Sequence, residues 1–279
     1  MLAVIGDLIA DLIVLGGSSL ERGTDNPAEV RITRGGSAAN VAVAAAPRHP
    51  VRFIGRVGDD TIGRVLVAEM AAAGVDVRVQ REGRTGAIVV LVDADGERTM
   101  ITDRGAAADL AAIDPEWLAG VDWVHLPLYG FAEPASRTAV TDAAAAARRT
   151  GARVSLDLSS VATMRDLGAA RLQRIVDDLA PAVVFANAEE ARTATALDLD
   201  LTGAVFVVKR GGDPVVVIEG DSRVEVPVDR VEDVLDSTGA GDAFAAGCIT
   251  ATLSGADPRE SARAGSQLAM SALRRAGAL

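Results

Sequence analysis

Between Asp236 and Gly247 the chain reads Asp-Ser-Thr-Gly-Ala-Gly-Asp-Ala-Phe-Ala-Ala-Gly, and no other stretch limits the fold as much. Val231, Val234 and Leu235 precede it as a short extended segment. An apolar run with few breakers follows to Leu253 and predicts a buried helix. Phe244, Cys248 and Thr252 recur at four-residue spacing, as do Ala245, Ile249 and Leu253, so two adjacent helical stripes are apolar or small. A loop therefore opens a helix. Gly239 and Gly241 let backbone amides approach a ligand closely, and those amides with the helix dipole favour an anion such as a phosphoryl group. A carboxylate at Asp242 would repel that anion unless it held something else, such as a substrate proton. This makes Asp242 a candidate general base beside an oxyanion site. The same residues also read as a capped turn, with Ser237 or Thr238 as N-cap and Asp242 as a first-turn acid.

Other nucleotide motifs fail. A Walker A loop needs Gly-Lys followed by Ser or Thr, and the chain's single lysine, Lys209, is followed by Arg210. A dinucleotide fingerprint needs glycine where Phe244 stands.

Asp236–Phe244 resembles the C-terminal signature of the ribokinase-like (PfkB) carbohydrate kinase family. Gly35-Gly36-Ser37-Ala38-Ala39-Asn40-Val41-Ala42, about 200 residues upstream, resembles its N-terminal signature. The resemblance implies one ribokinase-like α/β domain over residues 1–279: a three-layer sandwich with a mainly parallel central sheet. A small β-sheet lid is inserted as 12–34 and 85–102. Alternating strand and helix patterns along the chain agree with a parallel sheet covered on both faces. The lid pieces read as exposed strands, the second with a turn signal at Asp93-Ala94-Asp95-Gly96.

Composition limits partners. A formal charge of −11 and a pI near 4.7 argue against nucleic acid or an anionic membrane as the main partner. Aromatic residues make up only 3%, too few for a base-stacking surface. No apolar run reaches membrane-span length, and Met1–Asp7 reads as a first strand, so a cytoplasmic protein is expected. The lone cysteine, Cys248, falls on the buried helical stripe and reads as core. His125 on an apolar strand and His49 in a loop give no nucleophilic triad.

The resemblance also assigns residues. Asp11, at the end of the first strand region, would bind sugar hydroxyls, as would Gly36 and Asn40. Ile9 and the pair Leu128-Tyr129 depart from the residues ribose kinases carry, which makes ribose a poor acceptor. Asn187-x-x-Glu190 at a strand end places an amide and a carboxylate on one helix turn, suited to hydrated magnesium; read alone, Glu190 is a solvated helix acid. Lys209 and Gly211 would lie beside the nucleotide phosphates, with Thr238 near them and Ser266 near adenine. Asp236 matches a carboxylate that helps bind a monovalent cation such as K+. Asp166, in a connecting segment, and Asp177 and Asp178, in a helix, read as solvated acids.

The expected reaction is Mg2+-dependent transfer of the ATP γ-phosphoryl to an alcohol of a sugar. Asp242 accepts the proton and the amides of Gly239, Ala240 and Gly241 hold the transferred charge. The alternatives are a nucleoside kinase of the same family and a non-catalytic sugar-binding protein. The resemblance implies a homodimer through the lid, and the edges that so small a sheet leaves exposed would be a reason to pair.

Overall fold

The computed structural model describes residues 1–16, 20–93, 98–229, 231, 234 and 238–274. It begins with β1 (Leu2–Ile5), β2 (Ile9–Leu15), β3 (Glu29–Gly35), α1 (Ser37–Ala45), β4 (Val51–Val57) and α2 (Thr61–Ala72). Next come β5 (Asp76–Arg81), β6 (Thr85–Val92), β7 (Arg98–Gly105), β8 (Trp123–Pro127), α3 (Pro134–Arg149) and β9 (Arg153–Asp157). The chain continues through α4 (Val161–Leu167), α5 (Ala169–Leu179), β10 (Val183–Asn187), α6 (Ala188–Ala196) and β11 (Val205–Arg210). It ends with β12 (Asp213–Glu219), β13 (Ser222–Val226), α7 (Ala240–Leu253) and α8 (Pro258–Leu273).

Among the described residues, nine strands form one sheet in the order β13-β12-β11-β10-β9-β8-β1-β4-β5. Seven of them run parallel, and β12 and β13 add an antiparallel edge. Strands buried on both faces are apolar throughout, and β1 illustrates this. Leu2 and Val4 face a core made with α1, α2, α7 and α8, while Ala3 and Ile5 face a second core made with α3, α4, α5 and α6. The expected three-layer sandwich follows from that alternation. Among the described residues no helix is long and apolar enough to cross a membrane.

Strand order reverses at β1, which pairs with β4 on one side and β8 on the other. In open parallel sheets, ligands bind beyond the carboxyl ends of strands at such a switch point. Over that end stands a separate sheet in the order β3-β2-β6-β7. The lid is longer than its two sequence pieces, because β2 starts at Ile9 and β7 runs to Gly105.

Other local readings change too. Asp166 lies inside α4, because the Ser160 hydroxyl accepts from Thr163 N and starts a helix in what reads as a connector. Val231 and Val234 belong to no strand. Helix α7 is capped by Gly239 in the left-handed region (φ 74), with no side-chain cap. The turn residues 94–96 and Leu235, Asp236 and Ser237 lie outside the described residues.

Candidate active site

Every proposed site residue among those described lines one cavity of about 710 Å³ at the carboxyl end of the sheet, beneath the lid. These are Asp11, Gly36, Asn40, Asn187, Glu190, Lys209, Gly211, Thr238, Gly239, Ala240, Gly241, Asp242 and Ser266. Asp236 lies outside the described residues.

Asp242 sits in the first turn of α7, and the residues that open this helix, Gly239, Ala240 and Gly241, line the cavity. Ser37 Oγ donates to its Oδ1 at 2.6 Å, and Asn40 Nδ2 donates to its Oδ2 at 2.9 Å. Burial pushes the carboxyl up to about 6, against the opposing pull of those two hydrogen bonds; Asp157 adds to the rise and Lys209 resists it. The group is ionised at neutral pH and poised within reach of it, as general-base work requires. The left-handed backbone at Gly239 and the absence of a side chain at Gly241 keep the helix start open. A Cβ on Gly241 would stand 3.4 Å from Lys209 Nζ, so the ammonium lies against the start of α7. An ammonium and free helix amides together make an anion site.

Lys209 is the penultimate residue of β11 and forms an ion pair with Asp157 Oδ2 at 2.8 Å. Burial disfavours its charge, yet the Asp157 carboxylate beside it holds the ammonium above its ordinary range. Asp157 ends β9, and its Oδ1 accepts from Ser159 N.

Asn187 and Glu190 form a capping box at the start of α6. Asn187 Oδ1 accepts from the amides of Glu189 and Glu190, while Glu190 accepts from Asn187 N and Nδ2, both at 2.7 Å. Glu190 is 3% exposed, which removes the reading of it as a solvated acid. Burial, then Asp157, raises its carboxyl to about 7. Among the described residues no group of three or more His, Cys, Asp or Glu side chains encloses a metal.

At the lid side of the cavity, Asp11 stands on β2 beside Ile88 of β6, with Gly35 packed on its carboxylate. Its buried Oδ1 has no hydrogen-bond partner. Burial pushes it up to about 6 despite the attraction of Arg34, and Asp242 adds to the rise. Gly36 (φ 99) passes so close to the chain that a Cβ would fall 2.3 Å from Asp7 O. Asn40 has both amide ends engaged, Oδ1 by Arg34 and Nδ2 by Asp242.

Four residues here escape a reading of the sequence. Asp7 receives a two-pronged contact from Arg104 of β7, Nε to Oδ2 and Nη2 to Oδ1, both 2.8 Å. Arg104 Nη1 is buried without a partner and faces the cavity. Asp157 and Arg34 are the other two. Asp7 and Asp157 carry a faint signal, an acid closing an apolar strand; Arg34 and Arg104 carry none, since arginines are spread along the chain.

The end of the cavity beside α8 is apolar. Val215, Val228, Ala269, Met270 and Leu273 line it, and Ser266 Oγ donates to Ala262 O. His125, which lies under the site, bonds through Nδ1 with Ser155 Oγ, and burial lowers it to about 4, so it is a neutral core residue as its sequence suggests.

The whole chain, residues 1–279, matches the pfkB family carbohydrate kinases. It is similar to an ATP-dependent ribose-1-phosphate kinase of Halopiger xanaduensis, 35% identical over 84% of this chain and 79% of that protein. A fructokinase of Escherichia coli is 29% identical over 88% of this chain and 82% of its own length. Adenosine kinase from Sinorhizobium meliloti superposes with a TM-score of 0.86 at 25% identity, over 99% of this chain and 94% of that one. Fructokinase from Xylella fastidiosa, solved with bound ATP, superposes at 0.84 and 24% identity, over 99% of this chain and 93% of that one. With both signatures meeting at Asp242 and the match running end to end, the chain belongs to the pfkB family of carbohydrate kinases.

Proposed function

We propose that this protein transfers the γ-phosphoryl group of ATP to a hydroxyl of a sugar or sugar derivative. The observation that carries the reading is the place of Asp242. It stands where the anion site at the start of α7 meets the polar acceptor end. An acceptor hydroxyl between Asp11 and Asp242 would give its proton to Asp242 as the oxygen attacks phosphorus. The amides of Gly239, Ala240 and Gly241 and the Lys209 ammonium would hold the transferred charge. ATP would lie with its base among Val228, Ala269 and Met270, near Ser266, and its phosphates over Gly211 and Thr238.

Magnesium fits this site as a hydrated ion, since Asn187 Oδ1 is spent on amides and, of the two acids on that turn, Glu190 lines the cavity and Glu189 does not. Bound there, it would neutralise phosphate charge. A monovalent cation at Asp236 belongs to the same proposal on the signature alone, and a cytoplasmic location accords with the use of ATP.

The acceptor end carries Ile9, Ile88 and Met100 as well as its acids. That apolar wall favours a derivative with an apolar face, and it keeps the nucleoside reading as the second choice. The lid adds a dimer. Ile32, Leu12, Val89 and Ile101 stand side by side across all four strands on the face away from the cavity, with Val30, Val14 and Leu91 one step along. Ile32 and Ile101 are 68% and 61% exposed, a face a second copy would cover.

The test is a panel of sugars, sugar phosphates and nucleosides scored by thermal shift and then by ATP consumption. An acceptor that both stabilises the protein and drives ATP turnover supports the reading. Stabilisation by sugars with no ATP turnover would turn it to a sugar-binding protein.

A further inference from the structure

Arg34 is the penultimate residue of the lid strand β3, directly before the glycine pair of the upstream signature, and is 2% exposed. Its Nη1 donates to Asn40 Oδ1 at 2.7 Å, and Asn40 Nδ2 donates to Asp242 Oδ2 at 2.9 Å. Asn40 is 5% exposed, so no bulk water competes for either end of its amide. Chemistry dictates the order of this chain. A guanidinium only donates and a carboxylate only accepts, so an amide can join them in one orientation alone, oxygen to Arg34 and nitrogen to Asp242. Without the guanidinium the amide could turn over and present its oxygen to the carboxylate, which is repulsive.

We propose that Arg34 is a positioning residue for phosphoryl transfer. It locks the Asn40 amide, which holds Asp242 with its free lone pairs toward the acceptor hydroxyl. The inference rests on the reading of Asp242 as the base. Arg34 also faces Ala10 across the β2–β3 ladder, next to Asp11, so one cation serves both acceptor-site carboxylates from the root of the lid. The groups facing Asp242 are Ser37 and Asn40 from α1, Asp11 from β2, Arg34 from β3, Tyr129 after β8, Asp157 from β9 and Lys209 from β11. Of the two cations among these, Lys209 is already paired with Asp157.

The test compares Arg34→Met, Arg34→Lys, Asn40→Leu and Arg34→Met with Asn40→Leu. Two readouts are used: kcat with an identified acceptor, and the Asp242 carboxyl titration followed by carbon-13 NMR and assigned with Asp242→Asn. Arg34→Met is expected to lower kcat roughly 10- to 100-fold, the scale of a misplaced reacting group. It should leave ATP binding within about twofold and raise the Asp242 midpoint by about one unit. Arg34→Lys should recover part of both, and the double variant should be no slower than Asn40→Leu alone. Arg34→Lys against wild type carries the comparison if Arg34→Met does not fold. Additive losses in the double variant, or an Asp242 titration unmoved in every Arg34 variant, overturn the proposal. Because the titration needs no turnover, a moved midpoint without ATP consumption would retire the kinase reading and leave the Arg34–Asn40–Asp242 linkage standing.

Discussion

Ser37 Oγ donates to Asp242 Oδ1 at 2.6 Å, joining residues 205 positions apart in the chain. The two signatures are thus halves of one site: the first turn of α1 supplies donors, and the first turn of α7 supplies the carboxylate they hold. Helices α1 and α7 pack on the same face of the sheet, which brings both N-termini to its carboxyl end.

Replacing Asp242 by Asn removes the proposed proton acceptor and keeps its shape. Turnover under saturating ATP and acceptor should fall by roughly 10²- to 10⁴-fold, the usual worth of a general base. A rate within a few-fold of wild type would show that the proton leaves by another route.

The Asp11 carboxyl is raised from 3.8 to about 6 by burial. A raised acid favours the folded state fully below its unfolded pKa, and that advantage is lost as pH rises from about 4 through about 6. Asp11→Asn, which never ionises, should therefore gain about 1–3 kcal/mol of stability at pH 8 and nothing near pH 4. Urea unfolding at the two pH values measures this. A gain equal at both would place the effect elsewhere than in ionisation.

Lys209→Met leaves Asp157 buried beside Glu190 without a cation. Stranding one member of a buried pair costs about 3–5 kcal/mol, so the urea midpoint should drop accordingly. Turnover should fall as well, because the anion site loses its ammonium. Unchanged stability would mean that the pair contributes nothing net.

Charge placed on the outer lid face should keep copies apart. Ile32→Glu is expected to yield a monomer by light scattering at concentrations where the wild type is a dimer, with acceptor-free ATP binding unchanged. A wild-type monomer would refute the lid dimer at once.

Cys248 lies on the buried side of α7, and burial pushes its thiol up to about 12. Alkylating reagent at pH 8 should leave it unmodified in the native protein and label it fully in urea, as read by mass spectrometry.

Local chemistry already told much of this. Gly239, Gly241 and Asp242 announce a helix start built for an anion, and the apolar runs at Leu2–Ile5 and Val183–Ala186 announce strands buried on both faces. These are short-range properties, written in neighbouring residues. Asn187 and Glu190 were legible as a pair on one turn, but their mutual bonds were not, because the same spacing serves a cap and an ion equally well. Asp166 misled for the opposite reason: nothing near it apart from the Ser160 cap marks so short a helix.

Tertiary structure alone decided which charges meet. Arg104 reaches Asp7 across 97 positions, Lys209 reaches Asp157 across 52, and Arg34 reaches Asp242 only through Asn40. An arginine on a strand is the same residue in sequence whether it faces water or a buried acid. Only the strand order that reverses at β1, and the lid laid over that point, bring these cations to their acids away from water. The sequence by itself determined the fold class and the glycine-opened helix start at Gly239, since both depend on residues close in the chain. The wiring of the acceptor end depends on contacts between strands far apart in it, and the fold supplied that.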